Sequence, residues 1–232
     1  MLRNDSLTQR NLPLTTGLYD YLLHQGRMVP DPLLAELLDR TREAIPDQAH
    51  MSVAPEEGAL LTFLVRLLGA KRIVEVGTFT GFSSLCLARG LSPGGALITC
   101  DVSPEWTTLA REFWTRGGVA DRIELRLGPA LDTLRALPAE PHLDLAFIDA
   151  DKPGYVGYWE ELVPRMLPGA LLMVDNTLFS GEVIDEQPGE KAAAVRRFNE
   201  HARQDDRVEL VMLPIADGLT LARRLPFDEV PA

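Results

Sequence analysis

From residue 71 onward, short runs of β-branched and apolar residues, each closing on or near an acid, alternate with amphipathic stretches of helical length. The runs are 72–76, 96–101, 122–127, 143–149 and 170–175, and the helical stretches fall near 81–90, 104–116, 130–137 and 155–167. Strand and helix in alternation read as βαβ units, hence an α/β fold with a mostly parallel sheet and helices on both faces. A last helix near 190–203 precedes an apolar run at 208–213. Asp217-Gly218 then supplies turn chemistry before 219–225, which predicts a closing antiparallel hairpin. That dipeptide is read as a turn and nothing more.

The first fifty residues show helical periodicity but no chemical motif. Leu18, Tyr21 and Leu22 recur on one face, as do Leu33, Leu34, Leu37 and Leu38 after Asp31-Pro32. Such extra N-terminal helices are expected to cap a core or to make a dimer contact. Pro55, Glu56 and Glu57 open a further helix, proline first and acids in the first turn, and Gly69 closes it. Its Leu60, Leu61, Phe63, Leu64, Leu67 and Leu68 cover much of the circumference, so this helix is expected to be largely buried.

Composition narrows the function classes. With 46% hydrophobic and 25% charged residues, the 232-residue chain can bury a substantial core and is read as one domain. Its net charge of −11 opposes a phosphate backbone, and basic residues come at most in pairs such as Lys71-Arg72, so nucleic acid is not an expected partner. The apolar stretches fall short of the ~20 residues that span a bilayer, which excludes a membrane-spanning helix. Cys86 and Cys100 sit in apolar contexts and are expected as buried thiols. With a polar N-terminus lacking a signal-peptide pattern, they point to the cytoplasm.

In an open parallel sheet, ligands bind beyond the carboxyl ends of the strands, where strand order reverses. Glu75, Asp101, Asp149 and Asp175 all stand at such ends. Any one of them serves equally as a helix cap; four together read as a site. The first strand runs into a glycine-rich turn, EVGTFTGFSS, that lacks the middle glycine of the dinucleotide fingerprint and carries Glu75 where a pyrophosphate would need positive charge. This disfavours a nicotinamide-dependent oxidoreductase, one alternative reading. It suits an adenosine ligand bearing an ammonium or sulfonium group, such as S-adenosylmethionine. Asp101 has the position from which a carboxylate accepts ribose hydroxyls, its alternative being an N-cap for the helix at Pro104. Gly128-Pro129-Ala130 is placed to bring backbone near an adenine edge.

FIDADKPGY (147–155) and MVDNTL (173–178) carry the more specific signal. Asp149, Asp175 and Asn176 offer three oxygen ligands from neighbouring strand ends, with no histidine or thiol close in sequence. Hard oxygen donors select Mg²⁺, with Mn²⁺ or Ca²⁺ as alternatives, over zinc or copper. Taken singly, Asp149 serves as a cap and Asn176 as a turn residue.

These blocks, with VAPEEGALL, ITCDVS, RLGPALDTL and PIADGLTLA, resemble in order and spacing the cation-dependent O-methyltransferases typified by caffeoyl-CoA and catechol O-methyltransferases. The likeness runs from about Met51 to the C-terminus. It implies a Rossmann-like seven-stranded sheet whose last strand is antiparallel, with residues 1–50 a helical segment and 51–232 the S-adenosylmethionine-binding catalytic core. It further implies that Val53, Glu75, Gly77, Thr78, Ser83, Asp101, Ala130 and Asp149 line the cofactor pocket. Asp149, Asp175 and Asn176 would hold the cation and Lys152 would be the general base. The substrate class it implies is a small catechol-like phenol, and the assembly a homodimer. Thr177-Leu178-Phe179 departs from the usual Val-Leu-Trp after the asparagine, and the loop that follows is short, which favours a free phenol over a coenzyme A thioester. A non-catalytic small-molecule-binding protein is the rival from another class; it would need no Lys152 beside the acids.

Overall fold

The computed structural model describes residues 12–226. The expectations placed on residues 1–11 lie outside these. The described strands are β1 (Arg72–Val76), β2 (Ala96–Asp101), β3 (Ile123–Leu127), β4 (Leu143–Ile148), β5 (Met166–Val174), β6 (Val208–Leu213) and β7 (Leu219–Arg224). They form one sheet in the order β3-β2-β1-β4-β5-β7-β6. The first five pair in parallel, and β7 lies antiparallel between β5 and β6. The expected closing hairpin is present, and its second strand inserts into the sheet.

Successive residues of a strand face opposite sides, so a continuous apolar run means two covered faces. Ile73, Leu145, Phe147 and Met173 belong to one core, packed with Leu37, Leu61, Leu85 and Phe113 from α2 (Pro32–Ala44), α3 (Pro55–Leu68), α4 (Phe82–Gly90) and α5 (Pro104–Arg116). Val74, Val76, Ala146, Ile148, Leu172 and Val174 belong to the other. There they pack with Leu134, Trp159 and Phe198 from α6 (Ala130–Ala136), α7 (Tyr155–Leu162) and α8 (Glu190–Arg203). The start of α2 follows the capping rules: Asp31 accepts the backbone N–H of Leu33 and of Leu34 at 3.0 Å, with Pro32 next in line.

Two expectations change. The helix expected over 155–167 ends at Leu162, because Pro164 and Pro168 cannot donate to a helical ladder; a 3₁₀ turn at Val163–Arg165 leads into β5 ahead of its expected start. Helix α3 is only half buried: Leu61 and Val65 are in the core, whereas Phe63 is 60% and Leu67 68% exposed. Its apolar residues outnumber the surfaces that cover them within this chain. N-terminal to it, α1 (Thr16–Gln25) has no buried residue and is tied to α3 by the Tyr19 hydroxyl donating to Glu56. Both cysteines are free and buried, and burial pushes the Cys86 thiol up to about 12 and the Cys100 thiol up to about 11. Among the described residues no helix is long and apolar enough to cross a membrane.

Candidate active site

The strand order reverses between β1 and β4, and the residues just beyond these strands converge there. Backbone hydrogen bonds continue each ladder by one residue: Gly77 N–H to Cys100 O at 3.0 Å, Asp149 N–H to Val76 O at 2.8 Å, and Asp175 N–H to Ile148 O at 3.0 Å. The sheet register therefore sets the acids side by side. Gly77 (φ +101°) passes so near β4 that an added Cβ would stand 1.8 Å from the Asp149 carbonyl oxygen. Only glycine allows that approach.

The glycine-rich turn is held from below and from the side. Asp101 Oδ2 accepts the N–H of Thr78 (3.0 Å) and of Phe79 (2.7 Å), while Oδ1 accepts Ser103 N–H at 2.8 Å. With those amides pointed at a carboxylate, the turn offers no anion cradle, in keeping with the missing dinucleotide fingerprint. Asp101 is thus a clamp on the turn, and the cap of α5 is Ser103, which accepts Trp106 N–H at 3.2 Å. Thr78 is buried and its hydroxyl lies 2.5 Å from that of Thr99.

Glu75 points inward. It has no exposure; its Oε2 accepts the hydroxyls of Ser84 and, at 2.6 Å, of Thr99, and its Oε1 is buried without a partner. Burial pushes its carboxyl up to about 7, against the pull of the Ser83, Ser84 and Thr99 hydroxyls. Ser83 and Val53 are almost fully buried, and Ala130 is half-buried at the start of α6.

Asp149, Asp175, Asn176 and Lys152 are brought together. Lys152 Nζ lies 2.5 Å from Asn176 Oδ1 and 3.2 Å from Asp149 Oδ1, and its side chain is only 12% exposed. Its position is set by Tyr155, whose hydroxyl oxygen accepts from Nζ at 2.5 Å and whose O–H donates to the Asp175 carbonyl oxygen at 3.1 Å. Sequence alone did not single out Tyr155; the signal available was its spacing of three from Lys152. Asp175 is 4% exposed, and burial together with the Asp149 charge raises its carboxyl well above the carboxylate range. Asn176 holds a left-handed backbone at φ +55°, and its N–H donates to Asp175 Oδ1 at 2.5 Å. Strain of this kind in a non-glycine residue gathers at functional sites.

Asp217-Gly218 has more to do than turn the chain. Thr177 N–H donates to Gly218 O (2.8 Å), Leu178 N–H to Asp217 O (2.9 Å), and Ser180 N–H to Asp217 Oδ1 (2.5 Å). The β6–β7 turn thereby holds the segment that follows Asn176.

The set fits a hard divalent cation. The Asp149 carboxylate and the Asn176 carboxamide oxygen share one ammonium, which stands between them as a cation would, and the Asp175 carboxylate lies next to them, accepting the Asn176 N–H. Among the described residues no three His, Cys, Asp or Glu side chains gather within ligating reach, so the amide oxygen is needed to complete the trio.

Known proteins place the chain's family and fold. The family model for O-methyltransferase matches residues 27–225. Catechol O-methyltransferase domain-containing protein 1 of Mus musculus is 38% identical over 92% of this chain and 82% of its own length. Caffeoyl-CoA O-methyltransferase 2 of Zea mays is 35% identical over 96% and 88%. The crystal structure of an O-methyltransferase from Bacillus cereus in complex with SAH superposes with a TM-score of 0.80, at 34% identity, covering 90% of this chain and 97% of that one. The sheet order, the turn after β1 and these likenesses agree, and the chain belongs to the S-adenosylmethionine-dependent O-methyltransferase family.

Proposed function

We propose that this enzyme transfers the methyl group of S-adenosylmethionine to one hydroxyl of a small vicinal dihydroxy aromatic, with a divalent cation, Mg²⁺ first, at Asp149, Asp175 and Asn176. The observation that carries the reading is the seating of the Lys152 ammonium among Asn176 Oδ1, Asp149 Oδ1 and the Tyr155 hydroxyl. Buried acids at the meeting of two strand ends call for positive charge, and one lysine supplies part of it.

The cofactor pocket is assigned to Val53, Glu75, Gly77, Thr78, Ser83, Asp101, Ala130 and Asp149. Asp101 retains lone-pair capacity for a ribose hydroxyl beyond the amides it holds. Glu75, buried beneath the turn, acts on a sulfonium or ammonium above it through its charge and by fixing Ser84 and Thr99. Asp149, Asp175 and Asn176 would hold the divalent cation, which would supply Lewis acidity favouring the ionised hydroxyl that a free phenol reaches only near pH ~10. Lys152 stands at the edge of those oxygens; as the neutral amine, its own ammonium proton having first passed to solvent, it would take the hydroxyl proton, and Tyr155 fixes the reach of that amine. The phenolate oxygen then forms a bond to the methyl carbon as the carbon–sulfur bond breaks, leaving S-adenosylhomocysteine. The sheet contributes by holding both reactants in line.

A free phenol is favoured over an acyl thioester because the segment after Asn176 is short and tied down. Asn199 Nδ2 donates to Thr177 O and Arg196 Nε to Val183 O, both at 2.7 Å. A second copy of the chain is proposed to cover the apolar residues exposed on α1 and α3. The test is methyl transfer to catechols, monophenols and their acyl thioesters, with and without EDTA. Turnover of catechols that EDTA abolishes and Mg²⁺ restores is expected; turnover unaffected by EDTA removes the cation from the mechanism.

A further inference from the structure

The glycine-rich turn between β1 and α4 is made of backbone that most residues avoid: Gly77, Phe79 and Gly81 stand at φ +101°, +50° and +87°. Glycine takes the left-handed region freely, whereas a bulky residue such as Phe79 stays there only where its surroundings over-determine it. On one side β2 does this. Asp101 accepts the amides of Thr78 and Phe79, and the Thr99 hydroxyl meets that of Thr78.

On the other side the turn is held from the N-terminal helices. Thr80 has no exposure, and its hydroxyl lies 2.9 Å from that of Thr41, 39 residues earlier on α2. Thr41 is itself buried, and its hydroxyl also lies 2.8 Å from the Leu37 carbonyl oxygen. A threonine that bonds back to the carbonyl four residues earlier is ordinary inside a helix. Its second contact, buried and made to a ligand-binding turn, serves nothing in the helix. α2 gives that contact a fixed base. Leu37 is in the core, Asp31 pairs with Arg89 of α4 at 2.5 Å, and Arg116 of α5 donates to both Glu36 oxygens at 2.8 and 2.5 Å. α4 and α5 are the helices that flank the turn: α4 starts at Phe82, directly after it, and a Cβ added at Gly81 would stand 2.6 Å from the Ala110 Cβ of α5.

We propose that Thr41 is a positioning residue for S-adenosylmethionine: through Thr80 it holds the turn in the conformation that receives the cofactor, which makes α2 part of the cofactor site as well as a cover for the core. A turn released at Thr80 relaxes for part of the time, and apparent affinity falls with the fraction that remains competent. This rests on the assignment of the turn to the cofactor pocket given under the proposed function, and is independent of the cation.

The experiment is S-adenosylhomocysteine binding to the full chain by calorimetry, with neither acceptor nor metal added. Thr41→Val, which removes the hydroxyl, is expected to weaken binding about fivefold, as loss of one net hydrogen bond gives, and Thr41→Ser, which keeps it, to stay within about twofold of wild type. Thr80→Val breaks the same contact, so adding Thr41→Val to it is expected to bring no further loss. Folding is checked by circular dichroism; should Thr41→Val not fold, Thr41→Ala is measured in its place, with the same direction expected. Unchanged affinity in the folded variant overturns the proposal, as does an equal loss in Thr41→Ser or an additive loss in the double variant. Thr78→Val, which loosens the turn on its β2 side, tests the assignment beneath the proposal. If it too leaves S-adenosylhomocysteine unchanged, the turn is not the cofactor site; if it weakens binding while Thr41→Val does not, the Thr41 role alone fails.

Discussion

At the scale of single residues, the site is organised by acids whose charges are not fully met within the chain. Glu75 shows the consequence most directly, since its folded carboxyl titrates at about 7 against an ordinary 4.5. Below pH 4.5 it is protonated folded and unfolded; between 4.5 and 7 only the folded protein holds the proton; above 7 folding must bury an anion. Stability is therefore lost as pH rises through 7. Glu75→Gln, which carries no charge to bury, is expected to gain on wild type between pH 5 and pH 8, by up to about 3 kcal/mol, read from urea unfolding without ligand. An equal difference at both pH values would show the carboxyl already ionised at pH 5. Asp149, Asp175 and Asn176 could be picked as site candidates because each sits at or just beyond a strand end, whereas Lys152 entered only through the family resemblance. The task of Tyr155 was not legible: it reads as a helix-start aromatic until packing turns it inward onto Lys152 and Asp175.

At the scale of elements, the β6–β7 turn supports the strand that carries Asp175. Gly218 holds φ +90°, and an added Cβ would meet the Leu178 backbone nitrogen at 2.6 Å. Gly218→Ala is expected to cost about 1–3 kcal/mol in urea unfolding from the left-handed backbone alone. It is also expected to lower turnover, because the displaced segment is the one that follows Asn176. A stable, fully active variant would mean the turn and the segment are independent. An Asp-Gly dipeptide announces a turn by its local chemistry, but its three hydrogen bonds to Thr177, Leu178 and Ser180 depend on β7 lying next to β5. Helix bounds show the same division. Phe82–Gly90, Pro104–Arg116 and Glu190–Arg203 lie close to where the strand-and-helix alternation predicts them, whereas α7 stops early at its prolines and α3 keeps apolar residues in solvent.

At the scale of the whole molecule, those residues are the main surface that a monomer leaves unsettled. Leu12, Leu14, Leu18, Tyr21 and Leu22 beside α1 and Phe63, Leu67 and Leu68 on α3 are exposed, and Met28 and Phe63 line a shared cleft. Contiguous exposed apolar surface marks an interaction site. The wild type is expected to sediment as a dimer, and the double substitution Phe63→Glu, Leu67→Glu to sediment as a monomer. A monomeric wild type would remove the second copy from the picture.

The sequence by itself determined the class of fold, the strand and helix identities, and the acids at the carboxyl ends of the strands. Those follow from side-chain periodicity and local turn chemistry, which act within a few residues. Only the tertiary structure decided that Asp101 clamps the glycine-rich turn, that Glu75 is buried beneath it, and that Lys152, Asn176 and Tyr155 share one set of hydrogen bonds. Those depend on strand order, register and burial, which bring together residues far apart in the chain and which no local pattern encodes.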